Sequence, residues 1–289
     1  MVKRNFSRIV PAAVSAVVLS VALLPSLSSC SGGGDASVCR SADDSDMSFR
    51  RLSAKQYYTL ANTAKDYDSD KDLLLEAGCD LLMPESVYGK DISALRDSIT
   101  RVAFDTVCAT PAKSMEAFMA GSAGLLGFDG SAKATSAGKD VTADGNVMVT
   151  GSVLNLDAGM MSYLVGKYYY APRAAHGMSV SLYVNYDAEG NKVFTVADLF
   201  TPEGLAKLPE LIKKEAASLL PLTGPTEVTA LPAGGNFYIS QRKEIVFAYQ
   251  PYEIASYAQG QIDIPMEPYV LSEYLTPYGK KLLLTPDAD

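Results

Sequence analysis

Three consecutive runs, Val147–Leu156, Ser162–Tyr170 and Met178–Tyr186, alternate apolar and polar residues and constrain the fold of this chain more than any other stretch. A period of two sends successive side chains to opposite faces of a strand. The gaps between the runs are short, so the spacing predicts a three-stranded antiparallel meander, with tyrosines supplying β propensity and half-buried surface. Upstream, strands are expected around Gln56–Asn62 and Leu73–Met83. A helix follows, in which Ile92, Leu95, Ile99, Val102 and Ala103 share one face and Asp91 stands near the positive end of the dipole. A second helix is expected at Ser114–Leu125, then a long Gly-, Ser- and Asp-rich excursion to Gly145. Downstream, Asp187–Asn191 reads as a turn into Lys192–Thr195. A helical segment from Pro202 then carries Leu205, Leu208, Leu211, Ile212, Ala216 and Leu219, with a restart expected at Pro209. Phe237–Gln241 and Glu244–Tyr249 form a hairpin pattern, Gln261–Pro265 an edge strand, and Val270–Leu275 a last short helix. This succession lacks the regular strand–helix alternation of a parallel sheet. The expected class is α+β, with antiparallel sheets, a meander and a hairpin, packed with a few helices.

The first thirty residues belong to targeting rather than to the fold. Lys3, Arg4 and Arg8 precede an apolar run from Ile9 to Leu24, broken only by Pro11, Ser15 and Ser20, and Leu27-Ser28-Ser29-Cys30 has the form a lipoprotein signal peptidase recognises. An uncleaved anchor or cleavage without lipid are the alternatives. The run is shorter than the roughly 20 apolar residues a span needs, and a lone cysteine after small residues favours lipidation of Cys30. The expected location is the bacterial cell envelope, periplasmic or at the surface, with membrane attachment through acyl chains on Cys30. Loss of residues 1–29 removes three basic side chains and no acidic ones from totals of 25 and 33, which leaves a net charge of −11. That charge argues against nucleic acid as a partner. The expected organisation is a signal peptide over 1–29, a flexible acidic linker over 30–50, an N-terminal α+β domain over 51–172 and a C-terminal α+β domain over 173–285.

Three cysteines remain beside Cys30, so at most one internal disulfide can form. Cys79 lies in an alternating apolar run and reads as a buried thiol, whereas a Cys79–Cys108 pair is allowed but supported by no spacing rule. Cys39 falls in the linker. His176 is the only histidine, which leaves no imidazole set for zinc, and neither a G-x-S-x-G elbow nor a cysteine in nucleophile context accompanies it. No metal, cofactor or catalytic residue is assigned. His176 reads as the entry to the third meander strand, next to Gly177. The sharpest local feature is Tyr252-Glu253, flanked by Tyr249 and Tyr257, where a carboxylate among tyrosines suits a glycan by stacking and hydrogen bonding. The competing role is scaffolding: Tyr252 packing under the hairpin while Glu253 accepts backbone hydrogen bonds after Pro251. A glycosidase would pair Glu253 with a second carboxylate, for which Asp187 and Asp198 are candidates, although both occupy turn positions that favour Asp anyway.

Five ordered motifs carry a family resemblance: Ala175-His176-Gly177; Asn185-Tyr186-Asp187 with Gly190; Asp198-Leu199-Phe200; Asn236-Phe237-Tyr238-Ile239; and Pro251-Tyr252-Glu253-Ile254-Ala255 with Tyr257, Gly260 and Ile264-Pro265. Together they resemble the RsiV-like C-terminal domain. Met83-Pro84-Glu85 and the Ile92–Phe104 helix are similar to the PdaC-type domain of unknown function that commonly precedes it, and the two resemblances cover about residues 50–276. The resemblance implies an extracytoplasmic binding role at the cell envelope, since some members sense lysozyme and others accompany a polysaccharide deacetylase. This chain shows no sigma-binding segment or internal span, and no deacetylase module. The expected function is a lipid-anchored, non-enzymatic binding module for a cell-wall glycan or for a basic, glycan-processing protein such as lysozyme, with Tyr249, Tyr252, Glu253, Tyr257 and His176 as candidate ligand-binding residues. A hydrolase acting through Glu253 and a purely structural envelope lipoprotein are the alternatives.

Overall fold

The structure, a computed structural model, describes residues 47–60, 72–127, 132–137, 141–157, 159–219 and 227–284. The signal peptide, Cys30, Cys39 and the linker up to residue 46 lie outside the described residues. The α+β class is as expected. A seven-stranded sheet has the order β3-β1-β2-β4-β5-β6-β7, built from β1 (Met47–Leu60), β2 (Leu73–Val87), β3 (Lys133–Thr135), β4 (Gly145–Asp157), β5 (Met160–Tyr170), β6 (Met178–Asp187) and β7 (Lys192–Phe194). β4, β5 and β6 form the expected antiparallel meander, and β2 beside β4 is the parallel pair of the sheet. A three-stranded sheet of β8 (Phe237–Ile239), β9 (Ile245–Tyr249) and β10 (Ile262–Met266) has the order β10-β9-β8. β1 begins at Met47, so the last four residues of the expected linker are strand, paired with Val87 to Met83 of β2.

Alternation decides the faces. Leu75, Ala77, Cys79, Leu81 and Met83 of β2 are buried with Val147 and Val149 of β4 and Tyr163 and Val165 of β5. They pack beneath α1 (Ser93–Phe104) and α2 (Pro111–Gly121), whose Leu95, Ile99, Ala103, Met115 and Phe118 complete the core. Helix α2 starts three residues before the expected Ser114: the Thr110 hydroxyl accepts from Lys113 N–H at 3.2 Å, and Pro111 takes the first turn. A second core gathers Leu199 of α3 (Val196–Leu199), Leu208, Ile212 and Ala216 of α4 (Pro202–Leu219), Phe237, Ile239, Phe247 and Ile264 of the small sheet, and Leu283 of α5 (Pro277–Leu284).

Two expectations about helices are corrected. α4 runs from Pro202 to Leu219 with Pro209 inside it and no restart. The buried face Leu208–Ile212–Ala216 keeps its four-residue step across the proline, and packing on it offsets the roughly 3 kcal/mol a mid-helix proline costs. Val270–Leu275 is a succession of tight turns rather than a helix, with Val270 N–H donating to Glu267 and Tyr274 N–H to Leu271. The last helix starts only at Pro277, where the fixed φ of proline suits a first turn. The expected division at 172/173 falls between β5 and β6, which are hydrogen-bonded neighbours over ten residue pairs, and Met160 of β5 belongs to the second core.

A polar seam joins the two sheets. Asn155 Nδ2 donates to the carbonyls of Ile239 (3.2 Å) and Ser240 (3.1 Å). Asn185 accepts from the Ser162 hydroxyl (2.7 Å) and donates to Phe237 C=O (2.9 Å), and Ser162 accepts from Ile239 N–H (3.0 Å). The outer edge of β6 is closed by side-chain amides: Ser181 N–H donates to Gln250 Oε1 and Tyr183 N–H to Asn236 Oδ1, while Ser181 C=O accepts from both Gln250 and Asn236. A strand edge that would otherwise sit without partners is thereby satisfied without another strand. Among the described residues no helix is long and apolar enough to cross a membrane.

Candidate functional site

Gln250, Pro251, Tyr252 and Glu253 make a reverse turn closed by Glu253 N–H donating to Gln250 C=O at 3.1 Å. Proline takes the second position, as it commonly does, but Tyr252 takes the third with φ +73°, where a type II turn favours glycine. The turn is held from below by Glu253, whose two carboxylate oxygens accept from Ala233 N–H (2.9 Å) and Gln250 N–H (2.7 Å). Glu253 is therefore the scaffold of the turn, tying the loop before β8 to the turn after β9.

Tyr252 points away from this scaffold and is 59% exposed. Its ring stacks on Tyr257 with centroids 5.5 Å apart and planes at 30°, and Tyr257 in turn stacks on His176 at 3.9 Å and 21°. His176 lies in the loop between β5 and β6. The Tyr257 hydroxyl donates to Gly177 C=O, and His176 Nδ1 lies 3.1 Å from the same oxygen. Gly177 lets the ring of Tyr168 lie against the backbone, in the space a Cβ would enter. Tyr168 thus stands beside the row, an aromatic neighbour that strand alternation alone did not assign to it.

The remaining candidate is corrected. Tyr249 is only 1% exposed, and its hydroxyl donates to Ala230 C=O at 2.8 Å. Burial, with Glu253 nearby, pushes its phenol above the ordinary value, so Tyr249 is core rather than ligand surface. The carboxylates expected as partners of Glu253 are also committed elsewhere. Asp187 is buried, accepting from Gly190 N–H (2.9 Å) and the Tyr278 hydroxyl (3.2 Å). Asp198 accepts from Thr195 N–H (2.7 Å), the Thr195 hydroxyl (2.8 Å) and Lys192 (2.6 Å) at the start of α3. Burial pulls the Asp198 carboxyl upward, but Lys192 and Thr195 together hold it below the usual carboxylate range. Cys79 is buried and Cys108 exposed, both as free thiols, and burial pushes the Cys79 thiol up to about 12. Among the described residues no group of three or more His, Cys, Asp or Glu is placed to hold a metal ion.

The motifs of the C-terminal half thus divide into two kinds. Asn185, Asn236, Asp187, Asp198 and Glu253 satisfy backbone groups and fix the scaffold, while His176, Tyr252 and Tyr257 form a continuous aromatic surface on it.

No curated protein matches this chain. A member of the DUF3298 family from Bacteroides fragilis has a similar solved structure, with a TM-score of 0.57 and 17% identity over 80% of this chain and 94% of that one. A DUF3298 family protein from Pseudomonas aeruginosa PAO1 matches with a TM-score of 0.52 and 16% identity, over 81% of this chain and 96% of that one. At such identities the likeness is one of fold. Within the sequence, residues 197–267, from α3 to the end of β10 and including the Tyr252 turn, match the family described as Protein of unknown function (DUF3298).

Proposed function

We propose that this chain is a lipoprotein of the bacterial cell envelope, anchored through Cys30, whose aromatic row His176–Tyr257–Tyr252 binds cell-envelope glycan. The observation that carries the proposal is Tyr252 itself. An exposed aromatic ring is displayed from a backbone conformation that glycine would adopt at lower cost, and it is kept in place by the stack behind it. Strain of this kind persists where the surroundings enforce it, and it concentrates at binding sites. A ring held in one orientation loses little entropy on meeting a sugar, presenting an apolar face to C–H groups and a hydroxyl to the ring substituents. The RsiV-like and PdaC-type resemblances agree with this location and role.

Binding is favoured over hydrolysis because Glu253 spends both oxygens on backbone amides, and Asp187 and Asp198 are engaged away from it. A second ligand class, a basic protein such as lysozyme, is favoured by the net charge of −11 after removal of residues 1–29.

The test is titration of the full chain, in mild detergent, with soluble peptidoglycan fragments and, separately, with lysozyme, using Tyr252→Ala and Glu253→Gln. Glycan binding is expected to saturate and to weaken at least tenfold in Tyr252→Ala. Binding of lysozyme alone, falling with added salt, would place recognition in the charge instead. No binding to either would leave a structural envelope lipoprotein and overturn the proposal.

A further inference from the structure

The ladder between the parallel strands β2 and β4 ends at the pair Leu81 and Gly151, yet β2 continues to Val87 and β4 to Asp157. From this point the β1–β2 ribbon and the β4–β5 ribbon part, with β2 leading to α1 and β4 turning back into β5. The opening is a cleft of about 480 Å³ lined by Phe49, Arg51, Asp80, Leu82, Thr150, Gly151 and Ser152. That volume falls within the roughly 300–1,000 Å³ of small-molecule pockets.

The lining selects a ligand class. Arg51 meets Asp80 as a fork, Nε to Oδ1 at 2.7 Å and Nη2 to Oδ2 at 2.5 Å, so the rim carries fixed donors and acceptors with no net charge. Two other ion pairs cross between β1 and β2, Arg50–Glu85 and Lys55–Glu76, but neither borders the cleft. A carboxylate or phosphate ligand would meet Asp80, and a cation would meet Arg51; a neutral polyol can use both. The hydroxyls of Thr150 and Ser152 add groups that donate and accept, while Phe49 and the partly exposed Leu82 offer apolar surface to C–H groups. Gly151 is spoken for by the core, since a Cβ there would lie 2.5 Å from the Tyr163 hydroxyl, while its neighbours at 150 and 152 point to the other face and are exposed, with the Thr150 hydroxyl donating to Gly166 C=O at 3.5 Å.

We infer that the cleft between the parting ends of β2 and β4 is a second ligand site, which takes a neutral sugar of one or two residues. It lies on the large sheet, formed by residues other than those of the aromatic row, and its ligand class follows from its own lining.

The experiment is calorimetric titration of the full chain in mild detergent with di-N-acetylchitobiose, a neutral disaccharide, and with a uronic acid disaccharide of similar size. The variants are Arg51→Met, Ser152→Val and Tyr252→Gly, each checked for an unchanged thermal transition. Saturable binding of the neutral disaccharide is expected, stronger than that of the uronic acid; a saturable component is expected to persist in Tyr252→Gly and to weaken at least tenfold when Arg51→Met or Ser152→Val is added to that variant. Binding that is lost in Tyr252→Gly and kept in both cleft variants overturns this site while sparing the aromatic one. Absence of neutral-disaccharide binding, or preference for the charged sugar, overturns it also.

Discussion

At position 252 a side chain is displayed at a cost the backbone could have avoided. L-residues in the left-handed region are strained by roughly 1–2 kcal/mol, and Tyr252 has φ +73° at the third position of a proline turn. Its ring recovers part of that by stacking on Tyr257, but more than half of the side chain remains in water. Tyr252→Gly is therefore expected to leave the protein as stable or to stabilise it by about 1 kcal/mol, measured by urea unfolding, while glycan binding falls. A loss of more than 1 kcal/mol would instead mean that the stack holds the turn together and that Tyr252 is there for the fold. The Tyr252-Glu253 dipeptide was legible in the sequence as a local feature, and so was the scaffolding alternative for Glu253. Tyr257 and His176 were named with Tyr252 as candidate ligand-binding residues, but their stacking into one row was not legible, because contact between the β5–β6 loop and the turn after β9 depends on how two sheets meet, which no local pattern encodes.

At the scale of elements, the capping box of α3 ties a motif residue to stability. Thr195 and Asp198 cap one another reciprocally, and Lys192 adds an ion pair to the Asp198 carboxylate. Asp198→Asn is expected to cost about 1 kcal/mol at neutral pH. Because the folded protein holds the Asp198 carboxyl below its ordinary value, this contribution is complete above the unfolded value of about 3.9 and disappears as pH falls through the folded one. The stability gap between wild type and Asp198→Asn should thus close below about pH 4 in denaturant melts at pH 7, 5 and 3; a gap constant across that range would detach the cap from its charge. Elements with strong periodicity were read correctly: the meander, the hairpin and the Ile92–Phe104 helix all follow apolar patterns that burial confirms. The errors sit at prolines. Pro209 was given the role of a helix start and is carried inside α4 by its packed face, whereas Pro277 does start a helix, just past the segment Val270–Leu275 where the last helix was expected. The Thr110-Pro111 pair that starts α2 stands just ahead of the expected Ser114 and is the kind of signal a cap and a first-turn proline give.

For the whole molecule, the decisive fact is that two hydrophobic cores share one large sheet. The described residues form one compact unit, and β6, which follows the expected boundary at 172/173, is bonded throughout to β5, which precedes it. The seam adds a second tie. Asn155 and Ser162 on one side of that boundary satisfy Ile239 and Ser240 on the other, and Asn185 bridges Ser162 to Phe237. All but Ser240 are buried, and a buried polar group left without its partner costs about 1–3 kcal/mol. A fragment beginning at residue 173 would lose the whole β5 ladder, the Met160 side chain from its core and the partners of Ile239 in β8 at once. Given that domains of this size are stable by only about 5–15 kcal/mol, those losses exceed what the fragment can spare. The expected result is that residues 173–289, expressed alone, show no cooperative urea transition and no dispersed amide spectrum, while the full chain unfolds in one transition with both cores lost together. A fragment that folds as a monomer with its own sharp transition would mean that the β5–β6 ladder and the seam are a docking surface between independent domains, and that the boundary inferred from the two motif sets is also the boundary of folding.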